Sequence, residues 1–244
     1  MEFKNKKMLL TFLNSNCYEL GRGSQGIAYY NMEDDNVFKI FYEFFDDEKV
    51  DEYEREQILA FSNISNDTFI WADDTISVNG NLVGYKSPYI KDESLYKQDP
   101  LNINLDKFTN ALIKVKDDIK LISKNKVLTF DIMYNILYVN NISIIDHIDY
   151  SQSDMDYNIL YHQNINNFVL EIYYFLVNGY FDEFVNNYND LKELYNSKQE
   201  DILIFLKLFR QHLSEYIGNH ITTLKEAQKC LNRKDQILFY QRII

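Results

Sequence analysis

A chain of 244 residues has room for one large domain or two small lobes, and with 46% hydrophobic and 25% charged residues it is neither disordered, collagenous nor coiled-coil. Its 25 Lys and Arg against 37 Asp and Glu leave a formal charge of −12. That surface repels phosphate backbones and anionic lipid, so no nucleic-acid and no membrane partner is expected.

Taken in chain order, the first 16 residues carry a charged start and an apolar run of only about six residues with no small-residue cleavage site, a poor signal peptide. Seven glycines and two prolines stand where average usage would give roughly 17 and 12, so their positions carry information. Gly21, Gly23 and Gly26 cluster within six residues. Cys17 to Leu20 enters that cluster and Ile27 to Tyr30 leaves it; Glu33 to Asn36 then turns into Val37 to Phe41. This pattern predicts an antiparallel sheet. Residues 47–61 lack Gly and Pro and space Tyr53, Ile58 and Phe61 among charges, which predicts an amphipathic helix. Thr75 to Val78 and Leu82 to Ile90 flank Asn79-Gly80-Asn81 as a hairpin, with Gly80 and Gly84 bracketing the turn.

From Leu105 to about Lys126 a helical period runs through Phe108, Leu112, Val115, Ile119 and Ile122. Two short apolar segments follow, Asn135 to Val139 and Ile142 to Ile145, with Asn140-Asn141 between them as a turn. After Tyr150 the composition is helical, with periodic segments near 165–178, 180–196, 201–217 and 219–232. The stretch from Phe168 to Phe181 is broken by Glu171 and Asn178 and is too short to cross a bilayer. The expected organisation is α+β: a small β-rich lobe over residues 1–90 with one helix, and a larger, mainly helical one over 91–244.

Cys17 and Cys230 are 213 positions apart, with no CxxC and no histidine at ligand spacing, so neither a disulfide framework nor a zinc site is encoded and a reducing, cytoplasmic setting is expected. His147, His162, His212 and His220 show no mutual metal spacing and read as surface or packing residues. The Tyr and Phe stripes of 169–195 read as core.

Gly21-Arg-Gly-Ser-Gln-Gly26 is a GxGxxG, which two different phosphate-binding structures share. A dinucleotide fingerprint needs a helix to open at the third glycine, and the β-branched and aromatic residues after Gly26 do not open one. A glycine-rich hairpin closing over nucleotide phosphates fits better, with the small Ala28 facing an adenine ring; a mere flexible turn is the plain alternative. Strand alternation puts Phe38 and Ile40 on one face and Lys39 on the other with Val37 and Phe41. A phosphate-binding lysine needs such a rigid, low-dielectric setting and a carboxylate to orient it, for which Glu54 is the first candidate and Glu56 the second; otherwise Lys39 is an exposed edge-strand residue. Asp131, Asn135 and Asp146 interrupt apolar runs. Capping or turn roles would explain each singly, whereas Asp131 near a hydroxyl with Asn135 and Asp146 on Mg²⁺ would complete a phosphoryl-transfer set.

Over residues 17–150, through Gly21, Gly23, Gly26, Lys39 in Val-Phe-Lys-Ile, Glu54, Asp131 with Asn135-Ile-Leu, and Asp146 after Ile-Ile, the chain resembles the protein-kinase-like superfamily, which includes protein, aminoglycoside and choline kinases and small bacterial kinase-like proteins. The resemblance implies a two-lobed kinase-like fold and a nucleotide held with Mg²⁺. Ser87 to Lys91 would be the hinge, with Tyr89 and Ile90 offering backbone to adenine. It further implies ATP-dependent phosphoryl transfer to a protein or small-molecule acceptor. Asn135 follows Asp131 by four positions where the pattern has five, Thr129-Phe130 stands for His-Arg, Met133 for a lysine and Asp146-His147-Ile148 for Asp-Phe-Gly, and no proline follows Pro100. These departures carry the alternative, a pseudokinase or nucleotide-binding interaction module without transfer.

Overall fold

A computed structural model describes residues 1–50, 55–132, 134–198 and 201–230. It is a mixed α/β structure that divides into two compact units, the first comprising Met1–Ser65, Phe69–Lys91 and Ile145–Asp149, the second Asn66–Thr68, Asp92–Ile144 and Tyr150–Ile244. No helix among the described residues is long and apolar enough to cross a membrane.

In the first unit the elements run β1 (Glu2–Phe3), α1 (Lys6–Asn16), β2 (Cys17–Arg22), β3 (Gly26–Asn31), β4 (Asn36–Phe41), α2 (Tyr42–Phe45), α3 (Arg55–Leu59), β5 (Asp74–Val78) and β6 (Asn81–Pro88). Six strands form one sheet in the order β1-β5-β6-β4-β3-β2, parallel only between β1 and β5. The three strands expected between 17 and 41 and the hairpin around Asn79-Gly80 are present, with Asn79 and Gly80 both at positive φ, as a tight hairpin turn demands.

The alternation of β4 divides the unit's core. Phe38 and Ile40 face α1 and join Leu9, Leu13, Ile76 and Val83, whereas Phe41 joins Ile58, Ala72, Tyr85 and Ile148. Ile148 explains why residues 145–149 belong with this unit: its side chain completes the second cluster.

Two sequence expectations for this unit are corrected, and one helix is added to them. Of the amphipathic helix expected over residues 47–61, the described residues show the short helix α3, Glu48 to Val50 lie outside any helix, and residues 51–54, with Tyr53, lie outside the described residues. Val50 and Leu59 still pack on the second cluster, so the apolar spacing served burial without helical continuity. Gly84 is not part of the turn but sits in mid-β6, where a Cβ would fall 2.1 Å from the Lys39 carbonyl oxygen. And α1, absent from the expectations, is an ordinary capped helix: Asn5 Oδ1 accepts from Met8 N–H at 3.0 Å, and Leu9 and Leu13, one turn apart, are fully buried.

The second unit contains β7 (Glu93–Ser94), α4 (Leu105–Lys124), β8 (Val127–Leu128), β9 (Ile136–Tyr138), β10 (Ile142–Ile144), β11 (Ser151–Gln152), α5 (Tyr157–Val177), α6 (Asp182–Asn186), α7 (Asn189–Ser197) and α8 (Ile202–Ile217), with 3₁₀ turns at Leu95–Lys97, Pro100–Asn102 and Leu224–Cys230. Asn104 and Asp156 cap α4 and α5 through their side chains, accepting from Lys107 and Asn158 N–H. Phe108, Leu112, Val115 and Ile119 of α4, Phe168 and Ile172 of α5, and Phe205 and Phe209 of α8 form the buried interior where these three helices meet. The expected helix of 180–196 is interrupted between α6 and α7, and the described part of that expected over 219–232 holds a 3₁₀ turn at Leu224–Cys230.

Candidate functional site

Strand register within the first unit places one row of residues across a single sheet face. Gly21 pairs with Ala28, Ala28 with Lys39, Lys39 with Tyr85 and Tyr85 with Thr75, and directly opposed residues of antiparallel strands share a face. Two positions along each strand lies a second row of Tyr30, Val37 and Ser87 on that same face. Tyr30 lies against Tyr89 with ring centroids 4.0 Å apart. The row was invisible in the sequence, because it depends on how five separate strands align.

Lys39 is the centre of this face. Its side chain is 9% exposed, and its Nζ donates to Oδ1 of Asp146, 107 residues away, in an ion pair. The Tyr85 hydroxyl donates to the same oxygen at 3.0 Å. Lys39 Nζ also donates to Gln25 Oε1 at 2.9 Å, and Gln25 Nε2 donates to Asp149 Oδ2 at 3.0 Å. Asp146 adopts φ 62, a left-handed conformation that costs a non-glycine residue of order 1–3 kcal/mol and that surrounding structure must hold in place.

Glu54, expected to pair with Lys39, lies outside the described residues. Glu56 is on α3, and its side chain is exposed. The observed partner of Lys39 is Asp146.

The three glycines of the hairpin have different reasons to be glycine. A Cβ on Gly26 would lie 2.2 Å from the Ile40 carbonyl oxygen, so that glycine is demanded by the close approach of β3 to β4. A methyl added at Gly21 would have nothing within 4 Å, one at Gly23 only the Gly26 oxygen at 3.9 Å, and neither residue has positive φ. Neither packing nor backbone conformation in the protein requires glycine at 21 or 23. The loop is nonetheless held: Gly23 N–H donates to Gly26 O at 3.0 Å, and the Tyr42 hydroxyl donates to Gly23 O at 3.0 Å.

At the far end of β6, Tyr89 N–H donates to Asp35 O at 3.0 Å. The Tyr89 N–H is thus engaged within the first unit. Ile90 follows it, partly exposed.

His147, next to Asp146, is 3% exposed and accepts from Ala72 N–H at Nε2 over 3.2 Å, edge-on to Trp71. Burial pushes its pKa down to about 4, so it is neutral and serves packing.

Asp131 and Asn135 belong to the second unit. Asn135 Nδ2 donates to the Asp131 backbone oxygen at 2.8 Å, and both Asp131 (φ 44) and Tyr134 (φ 68) are left-handed. Asp131 is exposed, and Glu171 of α5 has its carboxyl pushed up, first by burial and then by the Asp131 charge. The segment leading to Asp131 is anchored by a residue the sequence reading missed. Fully buried Asn164 accepts from Thr129 N–H (2.9 Å) and Oγ1 (3.0 Å), and donates to Ser123 Oγ (3.0 Å) and Val127 O (2.8 Å). Among the described residues no three His, Cys, Asp or Glu side chains cluster to hold a metal.

No protein-family model and no curated protein matches the chain. Among solved structures it is similar to a twitchin kinase fragment from C. elegans, described as an autoregulated protein kinase with immunoglobulin domains, at 15% identity and TM-score 0.42 over 57% of this chain. The match covers 33% of that structure, so the chain spans about a third of its length.

Proposed function

We propose that the first unit binds a purine nucleoside triphosphate on the Gly21–Ala28–Lys39–Tyr85 face, and that the chain is an ATP- and Mg²⁺-dependent phosphotransferase of kinase-like fold acting on a protein or small-molecule hydroxyl. The observation that carries this reading is the Lys39–Asp146 ion pair, whose lysine side chain is 9% and aspartate side chain 26% exposed. Such a pair rarely repays its desolvation in stability alone, yet it holds the lysine head group in place in a low-dielectric setting where a phosphate would be bound strongly.

The remaining residues on that face have compatible chemistry. Gly21 and Gly23 leave room for phosphates to approach the backbone. Ala28 leaves a flat patch for the base beside the Tyr30 and Tyr89 rings. Both bonds to Asp146 fall on Oδ1, which leaves Oδ2, a hard oxygen of the kind Mg²⁺ selects. Bound Mg²⁺ would supply charge neutralisation on the phosphates. Asn135 offers an amide oxygen of the same hardness, and Asp131 a carboxylate for a substrate hydroxyl; both enter the proposal through their order in the sequence.

A second reading, nucleotide binding without transfer, is favoured by the Asn135–Asp131 bond, which folds the shortened loop back on itself. Thermal denaturation with Mg-ATP decides the binding step. At a hundredfold excess over Kd the wild type gains about 2.7 kcal/mol, roughly 5–10 °C for a chain of this size, and Lys39→Ala and Asp146→Asn gain nothing. An equal response in all three proteins, or in none, removes the proposal. Phosphate transfer to any acceptor that disappears in Asp131→Asn eliminates the second reading.

A further inference from the structure

Lys39 is both well placed to bind a phosphate and already covered. Two of its three Nζ protons go to Asp146 and Gln25, and only 9% of the side chain is exposed. Gln25 is the residue that closes it. Located in the glycine-rich loop between β2 and β3, its side chain crosses to the sheet face and bridges two groups of opposite sign, Lys39 through its carbonyl oxygen and Asp149 through its amide nitrogen.

The backbone supports this position. Tyr42 N–H donates to the Gln25 carbonyl oxygen at 3.1 Å, and the Tyr42 hydroxyl holds Gly23 O, so the loop is pinned on both sides of Ser24. A glutamine suits the task because a neutral amide offers an acceptor to the cation and a donor to the anion, whereas a charged side chain would satisfy one and repel the other.

We infer that Gln25 is a self-inhibitory latch: its amide occupies the donor of Lys39 that a nucleotide phosphate takes, and must swing off both Lys39 and Asp149 before the phosphate can seat. The inference rests on the proposed nucleotide-binding reading and adds to it a built-in competitor. Lys39 exchanges one neutral oxygen acceptor for a phosphate oxygen, while Asp146 keeps its ion pair throughout. The apparent affinity of the wild type is therefore lowered by the fraction of molecules in which the latch is closed.

Two measurements on the full chain separate the latch from the reading it rests on. The first is the rate at which an amine-acylating reagent modifies Lys39 in the nucleotide-free protein, read by peptide mass spectrometry. In Gln25→Ala and in the shorter Gln25→Asn this rate rises at least about threefold, while Ser24→Ala, whose side chain is exposed, leaves it unchanged.

The second is the calorimetric Kd for Mg-ATP, which falls about three- to tenfold in both Gln25 variants, the scale of one or two released hydrogen bonds. Both changes together support the latch. An unchanged or weakened affinity in variants that melt like the wild type overturns it while leaving the nucleotide reading intact. If no protein binds Mg-ATP although Lys39 becomes more reactive, the nucleotide reading has failed and the inhibitory role fails with it.

Discussion

Gly84→Ala and Gly26→Ala are each expected to cost about 3 kcal/mol or more, because the new methyl carbon would lie 2.1 or 2.2 Å from a backbone carbonyl oxygen of β4. A flexible side chain could swing away from such a contact; a carbonyl in mid-sheet cannot move without displacing its strand. Both oxygens belong to the stretch that bears Lys39, so the strain falls on the ammonium that the proposed site depends on. Gly21→Ala is the control. Its methyl meets nothing, its φ is ordinary, and its stability should stay within about 0.5 kcal/mol of wild type while Mg-ATP affinity drops. Urea denaturation of the three variants checks the contrast. Near-wild-type stability in Gly84→Ala would mean that β6 does not approach β4 as described.

Asn164→Ala should be comparably damaging. The truncation leaves the Thr129 N–H and hydroxyl and the Val127 carbonyl without the partner they have in a fully buried environment, and each orphaned group costs about 1–3 kcal/mol, not additively. A total of about 3 kcal/mol is expected. Asn164→Asp tests the cause. It keeps the acceptor for Thr129 but replaces the amide donor with an oxygen facing the Val127 carbonyl, so it should be no more stable than Asn164→Ala despite being the smaller change. Faster hydrogen exchange at residues 127–131 in both variants would place the damage in the segment before Asp131. A loss below about 1 kcal/mol in Asn164→Ala would contradict the hub described for Asn164.

What the sequence made legible was whatever strong local punctuation encodes. The glycine cluster, the Asp34-Asp35-Asn36 turn and Asn79-Gly80 delimited β2 to β6 with small errors at the ends, and the period through Phe108 to Ile122 located α4. Lys39 and Asp146 stood out because each is charged among apolar neighbours. Their pairing with one another did not, since 107 residues separate them and only the fold closes that distance.

At Glu48 to Val50 the helical expectation fails because apolar spacing reports burial before it reports helicity. α1 is signalled only by Asn5 and the Leu9–Leu13 spacing, and a charged start followed by a short apolar run has the pattern of a leader as much as that of a helix. Gly84 is ambiguous in the sequence, because a glycine in a strand reports close backbone approach and the neighbouring Asn-Gly turn supplies a competing reason for it. Gln25, Tyr85 and Asn164 carry no sequence signal at all, since each acts through a partner set by strand register or helix packing.

The central claim, that a nucleotide lies on the Lys39 face of the first unit, is tested most directly by an ATP derivative carrying an acyl group on its terminal phosphate. A lysine amine close to that phosphate attacks the acyl carbonyl, an amide forms and ATP leaves, so the modified residue marks where the phosphates sit. Labelling of Lys39, saturable and suppressed by excess Mg-ATP, is the result this account predicts. Saturable labelling at other lysines with Lys39 unmodified would contradict it.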